Sequence, residues 1–162
     1  MDQGCTEPDP REDLCGADVA RKLLILAREL DLHNELEDVV VHNLIPRDLR
    51  KISQFEFLKC LPELDIPFEI RKKNLKDNEV LRYVADLHGN LTDEKGAVLE
   101  VRLATVEKNS MLGALKGSDS IFEIYTESYG NNPIVIQGAG AGAAVTARRV
   151  FGDIRISDKD YF

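Results

Sequence analysis

From residue 17 to 31 the apolar positions recur at helical spacing. At roughly 100° per residue, Val19, Leu23, Leu24, Leu26, Ala27 and Leu30 form one broad arc, and Arg21 and Arg28 fall outside it. The pattern predicts an amphipathic helix with that arc buried. "DVVVHNLIP" (38–46) is β-branched and stops at Pro46, as a strand would. Helical spacing returns over 53–76, where Pro62 and Pro67 are expected to divide a short helix from a second, charged one. The period then changes to two. "EVLRYVADL" (79–87) alternates, and "AVLEVRLATVE" (97–107) puts Val98, Glu100 and Arg102 on one face and Leu99, Val101 and Leu103 on the other. The polar residues 88–96 between them read as a hairpin loop.

Residues 120–128 alternate again, "NPIVIQ" (132–137) is a short apolar strand, and 142–154 reads as a final helix. "MLGALKGSDS" between these runs reads as loop. The order predicts an α/β class of the α+β type: a mixed or mainly antiparallel sheet with helices on one face, closed by a C-terminal strand–Gly–helix unit.

Composition narrows the function. A chain of 162 residues with 43 % hydrophobic residues has material for one domain with a core. Its formal net charge of −8 argues against a nucleic-acid surface, which needs a basic stripe. The longest apolar run, Leu23–Ala27, is too short to span a bilayer, and Met1-Asp2-Gln3-Gly4 lacks a signal-peptide pattern, so a cytoplasmic protein is expected. Cys5, Cys15 and Cys60 have no CxxC spacing and are read as free thiols; His33, His42 and His88 are dispersed, so no metal site is expected. Arg71-Lys72-Lys73 reads as a solvated helix face.

Two stretches could carry chemistry. In the first, Asp18 and Lys22 are four apart, so on a helix their side chains lie about 40° apart around the axis. Asp18 falls in the first turn, where the helix dipole favours an anion. Ahead of them, the prolines of "TEPDPREDL" are expected to suppress helix and hold Glu7, Asp9 and Asp13 in a stiff loop. The arrangement suits either a preorganised site, with carboxylates for a substrate ammonium and a lysine to pass a proton, or an exposed ion pair after an acidic loop. The second stretch, "PIVIQGAGAGAAVTARRVFGDI" (133–154), is strand, glycine-rich turn and helix. Its spacing is GxGxG rather than GxGxxG, and no further strand and ribose-binding acid follow, so it does not read as a main dinucleotide site. It would contact a ligand or pack tightly on another domain.

Together these stretches resemble homoserine dehydrogenase. "TEPDPREDLCGADVARKLLILAREL" is similar to that family's signature TEPDPRDDLSGxDVARKLxILAR, "LRYVADL" to a later strand, and "GSDSIFEIYTESYGNNPIVIQGAGAGAAVTA" to its C-terminal portion. The resemblance implies NAD- or NADP-dependent interconversion of L-homoserine and L-aspartate 4-semialdehyde, in the pathway to threonine, methionine and isoleucine. It implies that Glu7 and Asp18 bind the amino-acid substrate with Asp13 beside them, that Lys22 is the proton donor and acceptor, and that Gly4 and Gly142 contact the cofactor. Residues 1–137 would be the catalytic and dimerisation region. Residues 138–162 would form the turn and helix that in the family pack on a nucleotide-binding domain. A homodimer is expected, and the family's N-terminal nucleotide-binding domain does not correspond to any part of this sequence. The chain therefore reads as a fragment, a truncated product or a split-enzyme subunit, inactive without such a domain; the alternative is a non-catalytic dimerisation or amino-acid-binding remnant. Cys5 stands where the family commonly has an aromatic residue, and Arg148-Arg149 stand where it has small ones.

Overall fold

The structure, a computed structural model, describes residues 8–140 and 142–157. They form two compact units that divide between Gly113 and Ala114.

The first unit opens with α1 (Pro10–Leu14). Prolines were expected to suppress helix here, but Pro10 occupies the first turn, where its missing N–H would have had no partner. Asp9 caps this helix: its carboxylate accepts from the Arg11 backbone N–H at 3.0 Å and takes the Arg11 guanidinium side-on, with contacts of 3.0 Å and 2.6 Å. Arg11 also donates to the Ile52 carbonyl at 2.6 Å, which ties α1 to a distant part of the chain.

The second helix, α2 (Ala17–Glu29), forms where the spacing predicted it. It buries Ala20, Leu23 and Ala27, with Val19 and Leu24 half-buried, against Leu99 and Val101. Leu26 and Leu30 are exposed, so the buried stripe is narrower than the predicted arc. A sheet of only three strands offers a narrow surface, and each buried leucine contributes about 1.5–3 kcal/mol.

That sheet has the order β1-β3-β2, with β1 (Val40–Val41) parallel to β3 (Ala97–Glu107) and β2 (Glu79–Gly89) antiparallel to it. The register pairs Tyr83 with Leu103 and Asp86 with Glu100. Period-two alternation holds over the first half of β3, where Ala97, Leu99 and Val101 are buried and Val98, Glu100 and Arg102 face the other way; it breaks at Leu103, which is half-buried while Ala104 is buried. On that second face a chain of charged and polar side chains crosses the sheet. Arg102 reaches Glu100 at 2.8 Å and Asp86 at 3.4 Å, and His42 contacts Glu100 at 3.1 Å.

Two further expectations fail in this unit. The strand predicted over 38–46 shrinks to Val40–Val41, because the Asn43 side chain accepts from the Ile45 N–H at 2.8 Å and turns the chain. The two helices predicted over 53–76 are one, α3 (Gln54–Lys73), with Pro62 and Pro67 inside it. Ser53 and Glu56 close a reciprocal cap at its start, and burial of Phe57 and Leu64 with Ile45 and Leu49 anchors it. Packing and capping here outweigh a penalty of roughly 3 kcal/mol per interior proline.

The second unit is a hairpin and a helix. Strands β4 (Asp119–Ile124) and β5 (Ile134–Ala139) pair antiparallel, and α4 (Ala143–Ser157) follows. Arg149 of α4 donates to the Ala139 carbonyl at 3.1 Å, which ties the helix to the end of its own hairpin. Among the described residues, no helix is long and apolar enough to cross a membrane.

Candidate functional site

Position 16 sets the start of α2. Gly16 sits in the left-handed region at φ 80° and supplies no side-chain cap. A Cβ there would run into the Tyr83 hydroxyl and Val41. Tyr83 donates to the His42 carbonyl at 3.1 Å, and burial raises its hydroxyl pKa. The first turn of α2 is thus fixed against two strands, and Asp18 and Lys22 project from that fixed turn.

Their carboxylate and ammonium are 2.8 Å apart, and both side chains are exposed, Lys22 at 71 % and Asp18 at 56 %. An exposed pair of this kind stabilises a helix by only a few tenths of a kcal/mol. Its chemical use is greater. The Lys22 ammonium can hydrogen-bond a ligand oxygen, and the Asp18 carboxylate can receive a ligand ammonium. Ile25 and Leu26, one turn on and on the same side of the helix, expose apolar surface beside them.

Asp13 lies exposed in α1, in the segment that leads through Cys15 and Gly16 into α2. The expected stiff loop is therefore a short helix here, and Asp13 projects from it. Gly142 lies in the second unit at φ 126°, just before α4, with its carbonyl accepting from the Thr146 N–H at 3.0 Å. Glu7 and Gly4 lie outside the described residues, as does Cys5. The structure therefore joins Asp18 to Lys22 directly. Sequence reasoning missed Gly16 and Tyr83; the only available signal was a glycine immediately before a helical run, as in "CGADVARK".

Cys15 and Cys60 are free thiols, and burial raises the Cys60 pKa. Among the described residues no three His, Cys, Asp or Glu side chains gather as metal ligands would.

A sequence profile described as homoserine dehydrogenase matches residues 1–155. The chain belongs to the homoserine dehydrogenase family. It is 46 % identical over 156 residues to a homoserine dehydrogenase of Paracoccidioides brasiliensis, covering 94 % of this chain and 41 % of that protein. It is 45 % identical over 153 residues to a chloroplastic bifunctional aspartokinase/homoserine dehydrogenase of Daucus carota, covering 93 % of this chain and 16 % of that one. A crystal structure of a Candida auris protein of unknown function superposes with a TM-score of 0.77 at 41 % identity, over 94 % of this chain and 42 % of that one. The chain thus spans less than half of the length of each of these relatives.

Proposed function

We propose that this chain supplies the substrate-binding and proton-transferring part of a homoserine dehydrogenase, which interconverts L-homoserine and L-aspartate 4-semialdehyde. The observation that carries the reading is the Asp18–Lys22 pair, held 2.8 Å apart on a fixed helix start within a chain that the family profile matches over residues 1–155. The Asp18 carboxylate, with Asp13 and Glu7, receives the substrate ammonium. Lys22 hydrogen-bonds the substrate oxygen: as the ammonium it gives that oxygen a proton as the aldehyde is reduced, and as the neutral amine it takes the proton back as the alcohol is oxidised.

NAD or NADP, when bound, supplies the hydride acceptor or donor. Gly142 fits a cofactor contact: its backbone is open, and a Cβ there would meet only the Val145 side chain, at 3.9 Å. Gly4 is the second contact in this reading, and most of the cofactor site belongs to a nucleotide-binding domain outside these 162 residues. Helix α4 of the second unit packs on that domain. The protein is cytoplasmic and works as a homodimer built on its sheets; Val40 and Val98, exposed on the sheet face away from α2, favour association there.

Joining this chain to the remainder of the Paracoccidioides brasiliensis relative tests the reading. Homoserine-dependent reduction of NADP⁺ or NAD⁺ is expected, with a loss of roughly a hundredfold or more in kcat for Lys22→Met. A folded, cofactor-binding chimera with no turnover would leave the non-catalytic reading.

A further inference from the structure

We infer that a cleft beside the end of β1, remote in composition from the Asp18–Lys22 pair, binds a small polyanion: a phosphorylated or multiply carboxylated metabolite. The cleft, about 480 Å³, is lined by His42, Ile45, Arg47, Arg50, Phe68 and Arg71 among others, and no Asp or Glu lines it. That is the opposite of the chain's own balance of 29 acidic to 21 basic residues. Among the described residues, no ion pair is seen for any of the three arginines, whereas Arg11, Arg28 and Arg102 each meet a carboxylate.

The local folding orients two of these arginines. Arg50 Nε donates to the Ile45 carbonyl at 2.8 Å, which orients its guanidinium and leaves the two terminal nitrogens to other acceptors. Ile45 itself is fully buried, and its N–H is held by Asn43, so the loop under Arg50 is anchored. Arg71 lies over the Phe68 ring, 5.8 Å from its centre. His42 stands at the rim with its Nε2 on Glu100 at 3.1 Å.

Clustered like charges without acids work against the folded state, and an anion that bridges them relieves that repulsion. Guanidinium forks match the paired oxygens of phosphate or carboxylate groups, and several forks around one cleft select a ligand with more than one negative charge. The cleft shares no residue with the amino-acid site, so the inference stands apart from the proposed function.

The test is calorimetric titration of the 162-residue chain with pyrophosphate and, separately, with citrate, against sodium chloride at matched ionic strength. Saturable binding of one or both is expected, and which of them binds tells a phosphate from a carboxylate ligand. Arg47→Gln and Arg71→Gln, whose side chains make no hydrogen bond among the described residues, should each weaken it by roughly three- to tenfold. Arg148→Gln removes the same charge in the second unit and should leave binding unchanged. The proposal is overturned if neither anion saturates, if chloride reproduces the heat, or if Arg148→Gln weakens binding as much as Arg47→Gln does.

Discussion

Gly16 and Tyr83 occupy space that a single added methyl would make them contest: any Cβ at position 16 meets the Tyr83 hydroxyl, which is itself engaged with the His42 carbonyl. The start of the helix that carries Asp18 and Lys22 is therefore keyed to the middle of β2. Gly16→Ala adds a clash to a left-handed backbone at φ 80°, and should cost about 2–4 kcal/mol in urea unfolding. Tyr83→Phe in the same chain removes one colliding atom, so the double variant should lose less than the sum of the two single changes.

Phe57 is completely buried in the cluster of Ile45, Leu49 and Leu64, with Leu14 and Ile52 packed around it. Phe57→Ala should lower stability by about 3–5 kcal/mol, measured by chemical denaturation. Phe55→Ala, two residues away and exposed, should change it little.

Pro62 interrupts α3 without a matching break in the helix. Pro62→Ala restores an N–H and removes a ring clash, but it also frees the unfolded chain. The net expectation is a gain of about 1 kcal/mol, seen as a raised melting temperature. A loss would mean that α3 depends on the proline's shape where Pro62 lines an apolar groove with Leu61 and Phe68.

The Arg11 guanidinium, then the Arg11 backbone N–H, hold the Asp9 carboxyl below its ordinary pKa of 3.8. Its folded pKa lies under its unfolded one, so the stabilisation is complete above the unfolded pKa and fades as pH falls through the folded value. The pair is only partly buried, so solvent screening keeps the effect modest. Asp9→Asn should lower the urea midpoint at pH 7 and shrink its further drop between neutral and strongly acidic pH.

What could be read in the sequence followed local periodicity. Strands β2 and β3 were legible because alternation survives in "LRYVADL" and "VLEVRLATV", and α2 because Ala20, Leu23 and Ala27 repeat at helical spacing. The single helix α3 was not, since proline's local penalty is visible in sequence while the burial of Phe57 and Leu64 that offsets it is tertiary. The β1 error has the same character: three valines suggest a strand, but an Asn43 turn ends it. At the site, Asp18 and Lys22 were legible because four residues apart on a helix is a contact. The arginine cleft was not, because a short 3-10 turn at Arg47–Leu49 and the last turns of α3 meet only in the fold.

Calorimetric titration of the chain with L-homoserine, beside Asp18→Ala and Lys22→Met, tests most directly whether Asp18 and Lys22 form a working amino-acid site. Saturable binding that Asp18→Ala abolishes and Lys22→Met weakens is the expected result. Equal binding by all three proteins, or none by a well-folded parent chain, would contradict it.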